Sequence, residues 1–160
     1  VVKAYTSRVG MGHFVPEIHR PLADRIREVG NEYGTTTGRP RQVGWPDHVV
    51  ARFCAMVGRP TELAITKADV LTGIDPLLVC VDYKRCGKAV AIFPTDDQEL
   101  SECRPVYHAV PGWEQDIAGA TSWEQLPENC RRYLHAVAEP YQAPITLVGT
   151  GPDRSQIIGR

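Results

Sequence analysis

A chain of 160 residues, 42% of them hydrophobic, can bury one core and has the usual size of one domain. Its net charge of −1 and pI near 6.6 provide no basic surplus or basic stripe, so neither nucleic acid nor an anionic membrane is an expected partner. No long apolar run and no signal-peptide pattern occurs, and a cytoplasmic location is expected. Cysteines at 54, 80, 86, 103 and 130 form no C-x-x-C pair and no zinc-like spacing. They read as reduced thiols that fill apolar space.

In chain order, residues 1–6 are β-branched and apolar enough for a strand, followed by the glycine-bearing loop Val9-Gly10-Met11-Gly12. Over 17–29 the apolar positions Ile18, Leu22, Ile26 and Val29 recur at helical spacing, and Gly30 stops that predicted helix. Pro46-Asp47 opens a second helix over 49–57, ended by Gly58, and its small and apolar composition predicts that it is mostly buried. Residues 63–66 read as a short strand, with Lys67-Ala68-Asp69 just past its C-terminal end. Ligands of open α/β sheets bind at that edge. The runs 77–83 and 89–93, joined by Lys84-Arg85-Cys86-Gly87-Lys88, predict an antiparallel hairpin. An acidic surface connection over 95–103 leads to a strand over 105–110 and a loop over 113–123. A helix over 129–138, with Cys130, Tyr133, Leu134 and Val137 inward, feeds a strand over 145–148. Gly149-Thr150-Gly151-Pro152 then turns the chain toward a last strand at Ile157-Ile158. Alternating strands and helices make this an α/β chain, without internal repeat or low-complexity segment.

The stretch richest in recognition chemistry is Gly34-Thr35-Thr36-Thr37-Gly38-Arg39-Pro40-Arg41. Glycines at both ends let the backbone turn and approach a ligand, and the threonines offer hydroxyl and amide donors on one arc. Pro40 fixes its own φ and biases Arg39 toward an extended conformation, so the two guanidiniums should splay and suit two anionic groups. The competing interpretation is a solvated surface loop with chance arginines. Thr66-Lys67-Ala68-Asp69 is the second motif. A carboxylate accepts two hydrogen bonds, and guanine presents two adjacent donors at its ring N1–H and exocyclic amine. Adenine presents an acceptor at the corresponding ring position, so Asp69 would select guanine. Lys67 could lay its stem over the base or ribose. Alone the pattern is weak, and a salt-bridged surface pair is its plain alternative. His13, His19, His48, His108 and His135 form no ligand spacing, Asp96-Asp97 reads as a solvated pair, and Trp45, Trp113 and Trp123 read as packing residues.

The sequence resembles the C-terminal part of adenylosuccinate synthetase. The resemblance runs through Val2-Lys3-Ala4-Tyr5-Thr6, Arg8-Val9-Gly10, Glu32-Tyr33-Gly34 with the threonine–arginine loop, Gly44-Trp45 and Thr66-Lys67-Ala68-Asp69-Val70-Leu71. It resumes at Pro105-Val106-Tyr107, Pro111-Gly112-Trp113, Leu126-Pro127-Glu128-Asn129 and Gly151-Pro152-Asp153-Arg154. It implies a P-loop-NTPase-like three-layer sheet-and-helix fold with an antiparallel hairpin, residues 1–160 being the C-terminal portion of the enzyme.

By that resemblance Thr35, Thr36, Thr37, Gly38, Arg39, Pro40 and Arg41 hold L-aspartate, and Arg39 also reaches inosine monophosphate (IMP) with Val9 and Gly10. Arg41 would sit near the GTP phosphates, Lys67, Ala68 and Asp69 at the guanine, and Gly149, Thr150 and Gly151 opposite them. Gly149 stands where many relatives have serine, and Pro40 where a basic residue is common. The implied reaction ligates aspartate to IMP at the expense of GTP, with magnesium, in a cytoplasmic homodimer of purine biosynthesis. The chain opens on Val1 and carries no glycine-lysine phosphate loop, so a piece of a longer enzyme is expected. The phosphate loop, catalytic acid, catalytic histidine and magnesium ligand would then lie in an N-terminal half, leaving no catalytic residue here and an inert chain. A non-catalytic guanine-nucleotide-binding module, or a remnant of one, is the alternative. A fragment that cannot fold, with aggregating strand edges, is a third.

Overall fold

Leu63, Ile65, Ile145 and Val148 are apolar, β-branched or both, and they form the buried centre of a four-stranded sheet. The computed structural model describes all 160 residues. Its elements are β1 (Val2–Lys3), β2 (Thr6–Arg8), α1 (Leu22–Gly30), β3 (Gln42–Gly44), α2 (His48–Gly58), β4 (Leu63–Thr66), β5 (Leu77–Arg85), β6 (Lys88–Ala89), α3 (Asp97–Glu102), β7 (Arg104–Val110), α4 (Glu128–Ala138), β8 (Ile145–Gly149) and β9 (Ile157–Gly159).

The central sheet has the order β1-β4-β8-β9, with β1, β4 and β8 parallel and β9 antiparallel. Two smaller antiparallel sheets, β2-β3 and β6-β5-β7, complete a mixed α/β architecture. Helix α4 turns Cys130, Tyr133, Leu134 and Val137 inward, as their spacing predicts, and Tyr133 donates to the Ala4 carbonyl at 2.8 Å. That bond pins α4 against the residues leaving β1. Trp45, Trp113 and Trp123 are buried in the main core, and Cys80, Cys103 and Cys130 are buried free thiols. Cys54 and Cys86 are exposed.

Several elements differ from the sequence-based expectations, each for a local reason. Residues 1–6 do not form one strand: Ala4 and Tyr5 are buried between β1 and β2, which belong to different sheets. The first helix begins at Leu22 rather than near Glu17, because Glu17 bridges to Gly44 and Ile18 donates its N–H to the Val43 carbonyl. Gly30 is its last residue rather than its stop; Asn31, at φ 49°, is the left-handed cap. Val29 points to solvent at 60% exposure. Helix α2 is not mostly buried, since Phe53, Met56 and Val57 are 36%, 66% and 68% exposed. Residues 95–103 contain the short helix α3, capped by Asp96, which accepts from the N–H groups of Gln98 and Glu99. The hairpin forms with its turn at Cys86-Gly87, but its second strand ends at Ala89, and β5 pairs chiefly with β7.

Candidate functional site

Because β1, β4 and β8 run parallel, their C-terminal ends share one edge of the central sheet. Three segments leave that edge side by side. Ala4 and Tyr5 follow β1, Lys67-Ala68-Asp69 follows β4, and Thr150-Gly151 follows β8. Ala4 donates to the Thr66 carbonyl at 2.9 Å, and a Cβ on Gly149 would meet Thr66 Cα at 3.4 Å. The last contact is ordinary van der Waals distance, so a serine at 149 would fit.

Lys67 takes a left-handed conformation at φ 62°, which costs a non-glycine residue about 1–3 kcal/mol unless its surroundings hold it. Here the ammonium donates to the Gly30 carbonyl at the end of α1, at 2.5 Å, where a cation also meets the negative end of the helix dipole. The chain then enters a single 3-10 turn, Asp69–Leu71, closed by the Leu71 N–H on the Ala68 carbonyl. Asp69 Oδ1 is buried without a hydrogen-bond partner. Burial pushes the Asp69 carboxyl above the ordinary aspartate range, and its own backbone N–H, nearby Lys67 and the Val70 N–H offset only part of that.

The threonine–arginine loop is a closed hairpin. Gly34 donates to Arg39 O and Gly38 to Gly34 O, both at 2.8 Å, and Tyr33 bridges to Pro40. Gly38 sits at φ 63°, which its glycine permits. Thr35, Thr36, Thr37 and Arg39 lie exposed at the tip, and no side-chain hydrogen bond or ion pair engages the Arg39 guanidinium. Arg41 points the other way, into the protein, where its Nη1 donates to Glu32 Oε2 at 3.2 Å and its Nε is buried without a partner. Arg41 Nε and Asp69 Oδ1 are the two unpartnered buried side-chain polar atoms of the chain. Such atoms cost about 1–3 kcal/mol each unless a ligand or water completes them.

Glu32 links the two motifs. Its side chain is 1% exposed; Oε1 accepts from Lys3 Nζ and Tyr5 OH at 2.7 Å each, and Lys67 Nζ lies 3.9 Å away. Burial alone would raise the Glu32 carboxyl, but the hydrogen bonds from Lys3 and Tyr5 outweigh it and hold it below the ordinary glutamate range. Tyr5 is held protonated by burial and by Glu32, with Asp69 reinforcing and Arg41 opposing that effect. The Tyr5 hydroxyl, donating to Glu32, belongs to the same cluster as Lys3 and Arg41. Sequence reasoning gave Lys3, Tyr5 and Glu32 no role. The signal available was a glutamate directly behind the Gly30-Asn31 helix end and directly ahead of the loop.

Val9 and Gly10 are exposed, and the antiparallel register Arg8↔Gln42 starts them beside Arg41. Thr150 is fully buried, and both its N–H and its hydroxyl donate to the Gln156 carbonyl, at 2.8 and 3.1 Å. Its hydroxyl proton is thus used inside the turn. The two principal cavities, about 430 and 870 Å³, include neither residues 35–41 nor residues 67–69. No three His, Cys, Asp or Glu side chains converge as metal ligands, and the donor set at the sheet edge is cationic, which suits anions rather than a divalent cation. No helix is long and apolar enough to cross a membrane.

An α/β sheet edge with cationic donors and unpartnered buried polar atoms is the layout of a nucleotide- or anion-binding domain. The family model for adenylosuccinate synthetase matches residues 1–158, and the chain belongs to that family. It is 49% identical over 156 residues to the adenylosuccinate synthetase of a Geobacillus strain, covering 98% of this chain and 36% of that protein. Against the Moorella thermoacetica adenylosuccinate synthetase it is 50% identical over 158 residues, covering 99% of this chain and 37% of the relative. A fully ligated adenylosuccinate synthetase from Plasmodium falciparum superposes with a TM-score of 0.96 at 35% identity, covering all of this chain and 39% of that one. The chain thus spans little more than a third of the length of the relatives it matches.

Proposed function

We propose that this chain supplies the guanine-reading and aspartate-holding residues of a GTP-dependent ligase that joins L-aspartate to IMP. The observation that carries the proposal is a pair of unpartnered buried atoms, Asp69 Oδ1 in the turn after β4 and Arg41 Nε on the loop that Glu32 ties to that turn through Lys67, in a chain of this family. A carboxylate held in a desolvated turn pairs with the two guanine donors, and adenine there leaves the charge unsatisfied. Lys67 and Ala68 flank the base, Gly149, Thr150 and Gly151 close the opposite side, and Arg41 meets phosphate. The exposed Thr35, Thr36, Thr37, Gly38, Arg39 and Pro40 receive aspartate, and Arg39, Val9 and Gly10 approach IMP.

In the reaction, N1 of IMP gives up its proton as the 6-oxygen attacks the γ-phosphorus of GTP and GDP leaves. The aspartate amine then adds at C6, the C6–O bond breaks, phosphate departs, and the nitrogen loses a proton. Fixed guanidiniums contribute by orienting anions and countering phosphoryl charge. Proton transfer and magnesium binding are assigned to the remainder of a family-length polypeptide. The same proposal makes the complete enzyme a cytoplasmic homodimer of purine biosynthesis.

The test is adenylosuccinate formation from IMP, aspartate and GTP, followed chromatographically. The chain alone is expected to form none, and the chain joined to the remainder of a family-length enzyme is expected to form it. Activity of the isolated chain contradicts the division of labour. An inactive joined enzyme that still prefers GTP to ATP favours a non-catalytic guanine-nucleotide module.

A further inference from the structure

We propose that Glu32 is a positioning residue: its buried carboxylate gathers Lys3, Tyr5 and Arg41 into one cluster and so fixes the direction in which Arg41 presents its free donors. The inference rests on the assignment of Arg41 to nucleotide phosphate made above.

A carboxylate at 1% exposure persists only where its lone pairs and charge are compensated. At Glu32 the compensation comes from separate stretches of chain. Lys3 and Tyr5 come from the end of β1 and the residues after it, Arg41 from the loop, and Lys67, at 3.9 Å, from the turn after β4. The backbone of Glu32 is fixed as well, since its N–H donates to Arg27 O at 2.8 Å and its carbonyl accepts from Arg41 N at 2.9 Å. Arg41 is therefore gripped at its main chain and at Nη1 by the same residue. That leaves Nε, buried and unpartnered, in a defined direction. Even the approach of Tyr5 is provided for: a Cβ on Gly30 would lie 2.3 Å from the Tyr5 hydroxyl, so only glycine admits it.

Two roles for this carboxylate predict opposite signs. If Glu32 acted only as a counter-charge, neutralising it would leave Lys3, Arg41 and Lys67 unopposed and would tighten phosphate binding. If it positions Arg41, neutralising it loosens the guanidinium and weakens binding by about tenfold, the range of one lost charge-assisted hydrogen bond. Coupling separates positioning from mere stabilisation. When Glu32 acts through Arg41, its replacement costs nothing further once Arg41 is gone.

The experiment measures GTP affinity by calorimetry on the 160-residue chain and its Glu32→Gln, Arg41→Gln and double variants, with thermal melts to confirm folding. Each single variant is expected to bind about tenfold more weakly, and the double variant no more weakly than the worse single one. Unchanged or tighter binding by Glu32→Gln overturns the inference, as does a double variant whose loss is the product of the two single losses. Should Glu32→Gln fail to fold, Glu32→Asp, which keeps the charge but shortens the reach, enters the same cycle under the same criteria. Asp69→Asn distinguishes the two levels. If it lowers guanine preference and Arg41→Gln weakens binding while Glu32→Gln does neither, only the positioning role falls. If Asp69→Asn and Arg41→Gln are both silent, the nucleotide site itself falls.

Discussion

Asp69 makes the sharpest statement at the scale of single residues. Its Oδ1 is buried and unpartnered, and burial holds its carboxyl above the ordinary aspartate range. In the proposed site guanine binds the carboxylate form, so GTP affinity is expected to fall as pH drops through that raised range, where a solvated aspartate would still be ionised. Asn at 69 offers one acceptor and one donor, a pattern that fits xanthine rather than guanine. Asp69→Asn is therefore expected to lower GTP affinity at least tenfold, flatten the acidic limb of the pH profile, and raise the relative affinity for xanthosine triphosphate. Competition binding across pH checks all of these. The placement of Asp69 and the two arginines was legible in the sequence because it is local: a carboxylate after a strand, and guanidiniums on a glycine-bounded loop. Glu32 was not. Its importance comes from partners at Lys3, Tyr5 and Lys67, up to 35 positions away in the chain, and no spacing rule predicts that convergence.

Among the elements, α2 shows how a cap can hold a sheet and a helix together. Asp47 Oδ1 accepts from the N–H groups of Val49 and Val50 at 3.0 and 3.2 Å, while Oδ2 accepts from the buried Tyr83 hydroxyl on β5. Burial raises the Asp47 carboxyl, its hydrogen bonds offsetting part of that shift. Asp47→Ala removes the cap and strands Tyr83, and it is expected to cost about 2–3 kcal/mol in chemical denaturation. Asp47→Asn keeps a side-chain oxygen for the helix N–H groups and can donate its amide to Tyr83, so a change under about 1 kcal/mol is expected. The same helix shows where composition misleads. Its apolar residues predict burial, yet Phe53, Met56 and Val57 stand in solvent, because periodicity reports that a face is apolar and not what covers it. Helix α3 was missed for the converse reason, as an acidic segment with no buried residue has no apolar stripe to read. Helix α4 was read correctly because its stripe and its burial coincide.

Across the whole molecule, parallel β1, β4 and β8 bring residues far apart in sequence to one edge, and the Glu32 cluster ties the arginine loop to it. The carboxyl of Glu32 lies below its ordinary range in the folded state. It therefore adds stability above the unfolded-state glutamate range, and that contribution is lost as pH falls through the folded value. The central claim is that Arg41 and the Asp69 turn belong to one guanine-nucleotide site. The most direct measurement is an amide and arginine-Nε NMR footprint of the chain titrated with GTP and, separately, with ATP. The account predicts that GTP moves the signals of Lys67, Ala68, Asp69, Gly151 and the Arg41 side chain together with one affinity, and that ATP leaves the Asp69 turn unmoved at equal concentration. Shifts confined to other surfaces, or the same footprint with ATP, would contradict it.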